Sequence, residues 1–192
     1  EPLADGVYQI TAEVEDLAGN ISPLSAALSI VIDTLSPQRP TIDLLGVDDT
    51  GSSDLDDVTN REDNVPLTIT AEPGSRVVVK NGETVIDEFI MPAESTVRLY
   101  TLLDGEYKLS AEAFDLAGNR SAQSEVLSLV IDRTAPPATT PELAPYSDTG
   151  TPGDAVTSIR QPAFVGRAEA NAKVSVYANG VLVGETFANS DE

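Results

Sequence analysis

Apolar residues in this chain alternate with polar ones in short runs and never recur at helical intervals. From Gly6 to Val14, Tyr8, Ile10, Ala12 and Val14 fall on one face and Val7, Gln9, Thr11 and Glu13 on the other. That period of two predicts a half-buried strand. A loop from Asp16 to Ser22 turns the chain, with Gly19-Asn20 able to supply a positive φ. Ala27–Ile32 reads as the antiparallel partner, and Asp33 and Pro37 end the segment. A short strand at Thr41–Leu45 and a long polar loop from Asp48 to Asn64 follow. Further strands are predicted near Leu67–Ala71, Arg76–Lys80, Thr84–Phe89, Thr96–Tyr100, Tyr107–Phe114 and Val126–Ile131. Asn81-Gly82 between two of them is a hairpin signal.

The pattern returns. Asp16-Leu17-Ala18-Gly19-Asn20 reappears as Asp115-Leu116-Ala117-Gly118-Asn119, an offset of 115 − 16 = 99. Asp5-Gly6, Tyr8, Ile32-Asp33 and Thr50-Gly51 recur at the same interval, and Asn81-Gly82 matches Asn179-Gly180 at 98, implying one lost residue. This period is too long for a solenoid unit and suits a tandem array of small domains. Residues 1–36 read as the closing strands of one repeat, 37–135 as a complete repeat and 136–192 as the opening strands of a third. In the third, the loop Ser147–Ser158 precedes strands at Ala163–Ala168, Lys173–Tyr177 and Val181–Phe187. Seven short strands in about 100 residues, without helical periodicity, predict an all-β fold of tandem immunoglobulin-like β-sandwiches.

Composition narrows the function. Thirty-two acidic residues against eleven basic ones give a formal charge of −21, which argues against nucleic acid and anionic membranes as partners and favours cations. With no Cys and no His, disulfides, Cys/His zinc sites and His-based triads are excluded. Carboxylate pairs are plentiful, but a sandwich of this size offers no obvious cleft, so no enzymatic role is expected. No apolar run of membrane-spanning length occurs, so direct membrane insertion is not expected. The absence of a signal peptide says nothing about targeting, because the chain starts within a repeat.

The acidic loop concentrates the chemistry. Asp48, Asp49, Asp54, Asp56 and Asp57 place five carboxylates within ten residues, a repulsive density unless a cation intervenes. Hard divalent ions, calcium above all, take six to eight oxygens from Asp, Asn, carbonyls and water. The Gly placement and the lack of a closing Glu rule out an EF-hand. A seven-strand sandwich should gather Asp49–Asn60, Asp104 and Asp132 at its exit end. Asp115 and Asn119 should lie at the entry end, facing Asp5 and Asp33 of the unit before. The linkers Thr34–Pro40 and Arg133–Pro141 are stiffened by proline, and an ion shared across a junction would lock them. Simpler readings stand beside these: Asp16 and Asp115 as loop caps, Asp5-Gly6 and Asp104-Gly105 as turns, and Asp33 and Asp132 as strand ends. The third segment carries only Asp148 and Asp154 in the corresponding loop.

Several motifs together resemble bacterial Ig-like repeats. They are Asp-Gly-x-Tyr opening the sixth strand, Asp-Leu-Ala-Gly-Asn-x-Ser after it, and the Ile-Asp-x-x-x-Pro linker. Asp-Thr-Gly…Val-Thr-Asn in the long loop and Val-Tyr-Ala-Asn-Gly-x-x-x-Gly in the third segment complete the set. Such repeats build giant, repetitive surface adhesins involved in biofilm formation, often exported by type I secretion. The resemblance implies an extracellular, cell-surface extender, rigidified by calcium (Ca2+) between repeats. It assigns ion binding to Asp33, Asp49, Asp54, Asp56, Asp57, Asn60, Asp104, Asp115, Asn119 and Asp132, and by extension to Asp148 and Asp154. The Arg133-Thr134-Ala135-Pro136 linker fits the pattern, whereas Thr34-Leu35-Ser36-Pro37 departs slightly. The expected partners are neighbouring repeats of the same chain. The alternative is an accessory module of a secreted polysaccharide-active enzyme, against which the absence of Trp counts. A last expectation is head-to-tail self-association, in which the C-terminal segment of one molecule takes up the N-terminal strands of the next.

Overall fold

The computed structural model describes residues 1–51, 53, 55–137 and 139–189. The chain divides into two compact units, Glu1–Arg133 and Thr134–Glu192. The first unit opens with a hairpin of β1 (Gly6–Ile10) and β2 (Leu28–Ile32). It continues through β3 (Thr41–Leu44), β4 (Val58–Thr59), β5 (Val65–Thr70), β6 (Arg76–Asn81), β7 (Thr84–Ile90), β8 (Ser95–Tyr100), β9 (Gly105–Phe114) and β10 (Leu127–Ile131). The second unit holds β11 (Glu142–Leu143), β12 (Phe164–Val165), β13 (Lys173–Ala178) and β14 (Val181–Phe187).

β3 to β10 form a sandwich. One sheet runs β3-β5-β8 and the other β4-β10-β9-β6-β7. Alternation within each strand points one set of side chains inward, as the pleat requires. Ile42 and Leu44 of β3 and Leu67 and Ile69 of β5 thereby meet Val77 and Val79 of β6, Leu109 and Ala111 of β9, and Leu129 and Ile131 of β10, all buried. The seven expected strands are all present, and the immunoglobulin-like sandwich is the observed fold.

The eighth, β4, was not expected. It lies inside the acidic loop and runs parallel to β10, pairing Val58 with Val130 and Thr59 with Ile131. Two residues are too few to show alternation, so the pattern reads as loop. The first hairpin also differs: β1 ends at Ile10, leaving Ala12 and Val14 exposed. Beyond Ile10 the chain pairs through serine side chains. Ser22 Oγ accepts from Val14 N at 3.0 Å and Ser25 Oγ from Ala12 N at 3.1 Å. The same substitution recurs where Ser121 Oγ and Ser124 Oγ accept from Ala113 N and Ala111 N, each at 2.9 Å.

One flank of the sandwich is closed by charge. β7 edges the larger sheet and β8 the smaller. Asp87 Oδ2 on β7 accepts from Arg98 Nε at 2.6 Å and from Tyr100 Oη at 3.0 Å, both on β8. Burial, with the negative charge of Asp87 beside it, holds the Tyr100 phenol protonated far above its ordinary range. Arg98 also lies 4.2 Å over the Phe89 ring, a cation–π contact.

The second unit repeats the opening of the sandwich with a changed offset. Leu45 N donates to Pro66 O, and Ala144 N donates to Ala163 O, so the interval falls from 99 to 97 across the loop. Two residues are missing there, not one. The sequence match of Asn81-Gly82 to Asn179-Gly180 is therefore one position out of structural register. In the first copy Asn81 pairs with Thr84, while in the second Ala178 pairs with Val181. Asn179 and Gly180 then occupy the turn itself, at φ 52° and 82°, as a type I′ hairpin requires. The strand expected at Ala163–Ala168 is only Phe164–Val165.

Core and flank should differ in weight. Leu129→Ala, at a fully buried position, should cost about 2–5 kcal/mol through lost transfer energy and a residual cavity. Tyr100→Phe, which removes one hydrogen bond, should cost about 0.5–1.5 kcal/mol. Urea unfolding of both variants checks the ranking; equal losses would make the Asp87 tie as important as the core.

Candidate junction and acidic-loop sites

The entry end is organised by the Asp-Leu-Ala-Gly-Asn loop. Asp115 Oδ1 accepts from Asn119 N and Oδ2 from Asn119 Nδ2, both at 2.8 Å. Gly118, at φ 90°, closes the turn by donating to Asp115 O. The copy at Asp16–Asn20 is built identically, at 2.9 and 2.8 Å. Hydrogen bonds from Asn119, joined by backbone donors, hold the Asp115 carboxyl below the usual aspartate range, and Asn20 does the same for Asp16. Asn119 Nδ2 also donates to Asp33 O at 2.9 Å. Asp33, Asp115 and Asn119 are thus brought together, joined by direct hydrogen bonds that use an amide and a main-chain carbonyl.

The linker is fixed beside them. Arg39 Nε donates to Gln123 O at 2.6 Å, and its NH2 group pairs with Glu125 at 2.7 Å. Pro37 and Pro40 are buried. Arg39, Glu125 and Ser124 were not singled out in the sequence. The recurrence of Ser25 as Ser124 at 99 was the available signal, whereas a lone Arg beside prolines carries none.

At the exit end Arg133 is the centre. It donates to Asp104 Oδ1 from NH1 at 2.7 Å, to Arg61 O from Nε at 2.7 Å and to Leu102 O from NH2 at 3.1 Å. The preceding repeat has Thr34 at this position, and its Oγ1 donates to Asp5 Oδ1 at 2.9 Å. Each repeat therefore ties the residue after its last strand to the aspartate before its sixth. Asp132 is exposed, and its N–H donates to Thr59 O at 3.0 Å. Asp104 and Asp132 do flank the acidic loop as the topology implied, with Asp104 engaged by Arg133.

Inside the loop the carboxylates serve as turn acceptors. Asp48 is buried and paired with Arg61. Asp49 accepts from Asp57 N at 3.3 Å and Val58 N at 3.2 Å, and Asp56 accepts from Val58 N at 3.3 Å. Thr50 Oγ1 donates to Asn60 Oδ1 at 2.8 Å, locking the two ends of the loop together. Asp54 lies outside the described residues. Asp57 sits at φ 56°, a left-handed conformation that costs a non-glycine residue free energy. Burial, and then the charges of Asp43, Asp49 and Asp56, raise its pKa.

The second unit builds the same loop from different residues. Thr149 Oγ1 bonds Ser158 at 3.3 Å, Asp154 accepts from Val156 N at 2.9 Å, and Ala155 takes φ 58° where the first copy has Asp57. Asp148 Oδ2 accepts from Gly153 N at 2.6 Å, while its buried Oδ1 has no hydrogen-bond partner. Two sequences holding one strained backbone show that the loop's shape, more than its charge, is the repeated feature.

These donors suit a hard cation chemically, being oxygen-only and mutually repulsive. Yet among the described residues no group of three or more acidic side chains is placed to hold a metal ion. An ion here would need carbonyls and water to complete its shell. Residues 36–133 match the family model of the bacterial Ig-like domain, just over half of the chain. No curated protein matches it. Among the described residues no helix is long and apolar enough to cross a membrane.

The lowered pKa of Asp115 fixes the sign of a pH effect. Its contribution to stability is fully present above the unfolded aspartate value of about 3.9 and is lost as pH falls through the lower folded value. Asp115→Ala should therefore weaken the protein at neutral pH and flatten the loss of stability below about pH 4. Thermal melts of both proteins across that range check it; parallel pH profiles would remove the loop carboxylate from the account.

Proposed function

Because the chain belongs to the bacterial Ig-like domain family, we propose that it is a structural extender segment of an extracellular bacterial adhesin, with no catalytic role. The observation that carries this reading is the fixed junction between the first hairpin and the sandwich. Asn119 holds the carbonyl of Asp33, and Arg39 holds the linker to Gln123 and Glu125. An extender needs neighbouring units that transmit orientation, and buried prolines with directional hydrogen bonds supply that. The excess of carboxylates suits a solvated surface whose self-repulsion discourages collapse.

Calcium forms the second part of the proposal. Asp49, Asp56 and Asp57 would hold the ion in the first loop, and Asp148 and Asp154 more weakly in the second. Bound calcium would supply positive charge where the carboxylates crowd. Support comes from Asp57, whose ionised form is disfavoured by burial and three acidic neighbours, and from the partnerless Oδ1 of Asp148. At the entry end Asp115 and Asn119 already satisfy one another, so direct bonds lock that junction and the ion belongs to the loop.

Two experiments separate these parts. An ion binding only the folded state stabilises by about 2.7 kcal/mol at a hundredfold excess over Kd, so calcium should raise Tm and chelator lower it by several degrees. Asp57→Asn should raise Tm in chelator, since Asn tolerates φ > 0 and removes the repulsion, and should shrink the calcium increment. Identical melts with and without calcium would sink the ion reading alone. Independently, Asn119→Ala with Arg39→Ala should speed proteolysis of the Thr34–Pro40 linker several-fold while leaving the sandwich melt nearly unchanged. Unaltered cleavage would sink the junction reading.

A further inference from the structure

In the complete repeat β9 is held on both sides, by β10 and by β6. Its register with β6 runs from Arg76 opposite Phe114 to Asn81 opposite Leu109. β1 repeats β9 at an interval of 99, since Gly6 pairs with Ile32 as Gly105 pairs with Ile131. β13 repeats β6 at 97, since Ala178 pairs with Val181 as Asn81 pairs with Thr84. Among the described residues β1 pairs only with β2, and β13 only with β14. Each therefore presents the edge that its counterpart uses in the complete repeat.

Transferring the β6–β9 register to these edges gives a chemically consistent match. Val174 falls opposite Val14 and Val176 opposite Ala12, on the face that Val77, Val79, Ala111 and Ala113 bury in the complete repeat. On the other face Lys173 falls opposite Glu15, with Ser175 opposite Glu13, so the one cation of β13 meets an acidic edge. A slip of one residue would send the valines to the polar face and lose the pairing. The apolar face has a measurable vacancy: Leu28 is 64% exposed, whereas its counterpart Leu127 is 6% exposed.

We propose that two copies of this chain associate through these edges, the segment from β1 to Glu15 of one copy pairing antiparallel with β13 of the other. The product is a composite sheet in the order β14-β13-β1-β2, equivalent to β7-β6-β9-β10 of the complete repeat. Main-chain hydrogen bonds supply affinity, and the alternating side chains supply register. Each copy carries one edge of each kind, so the contact is head-to-tail and propagates. This association stands apart from the calcium reading, because no acidic-loop residue takes part.

The chain contains no cysteine, which makes register directly readable. Glu13→Cys protein mixed with Ser175→Cys protein should form a disulfide-linked heterodimer under mild oxidation. Glu13→Cys mixed with Tyr177→Cys, one pair out of register, should form far less. The mass of the unsubstituted chain in light scattering should rise with concentration. Ile10→Asp with Val14→Asp should abolish both the rise and the cross-link while the melt of the central sandwich is retained. A monomer at every concentration, equal cross-linking by both cysteine partners, or a disulfide that closes only within one copy of the Glu13→Cys/Ser175→Cys double variant would overturn the proposal.

Discussion

The double-sided burial of β9 is the constraint on which the rest of the repeat depends. This ten-residue strand lies between β6 and β10, with Leu109, Ala111 and Ala113 at 0% exposure. At about 3.3 Å per residue it spans roughly 33 Å, the length of the sandwich. Asp104 immediately precedes it and Asp115 immediately follows it. The exit clamp on Arg133 and the entry loop on Asn119 are thus two ends of one rigid element. Any shift of β9 by one residue would turn its apolar set outward and displace both sites together.

Charge is distributed around that strand with economy. Only eleven basic residues serve a chain of formal charge −21, and several arginines sit where main-chain direction changes. Arg39 fixes the incoming linker, Arg61 answers buried Asp48, and Arg133 gathers two carbonyls and a carboxylate. Glu112, at 3% exposure, is the most buried of the paired acids. Burial pushes its pKa up, but hydrogen bonds from Arg120 and Lys80 outweigh that and leave it lowered. Removing one partner of such a group costs more than an exposed pair contributes, because the remaining charge stays buried. The surplus carboxylates are left to the loops, where Asp49, Asp56, Asp115 and Asp148 accept main-chain N–H groups.

The strands were legible because sandwich strands alternate, and the repeat was legible because its loops reuse the same turn residues. Three features were not. β4 is two residues long, too short for any periodic signal. The spacing of the third copy was misread because Asn-Gly fits equally well at two adjacent hairpin positions, and only strand pairing distinguishes them. The acidic loop was read as charge awaiting a cation, whereas much of its structure is main-chain capping. Sequence shows which oxygens are present but not which N–H groups already use them. Ala155, at the strained position that Asp57 occupies in the other copy, shows how the same shape survives the loss of the charge.

The central claim is that Asp33 and the linker are held by direct bonds, making the first hairpin and the sandwich one body. Backbone nitrogen-15 relaxation of the wild-type chain tests it most directly. Amides of Gly6–Ile10 and Leu28–Ile32 should report the same rotational correlation time and the same diffusion axes as those of β5, β6 and β9. A distinctly shorter correlation time for the hairpin would contradict the account, because the contacts of Asn119 and Arg39 would then not transmit orientation.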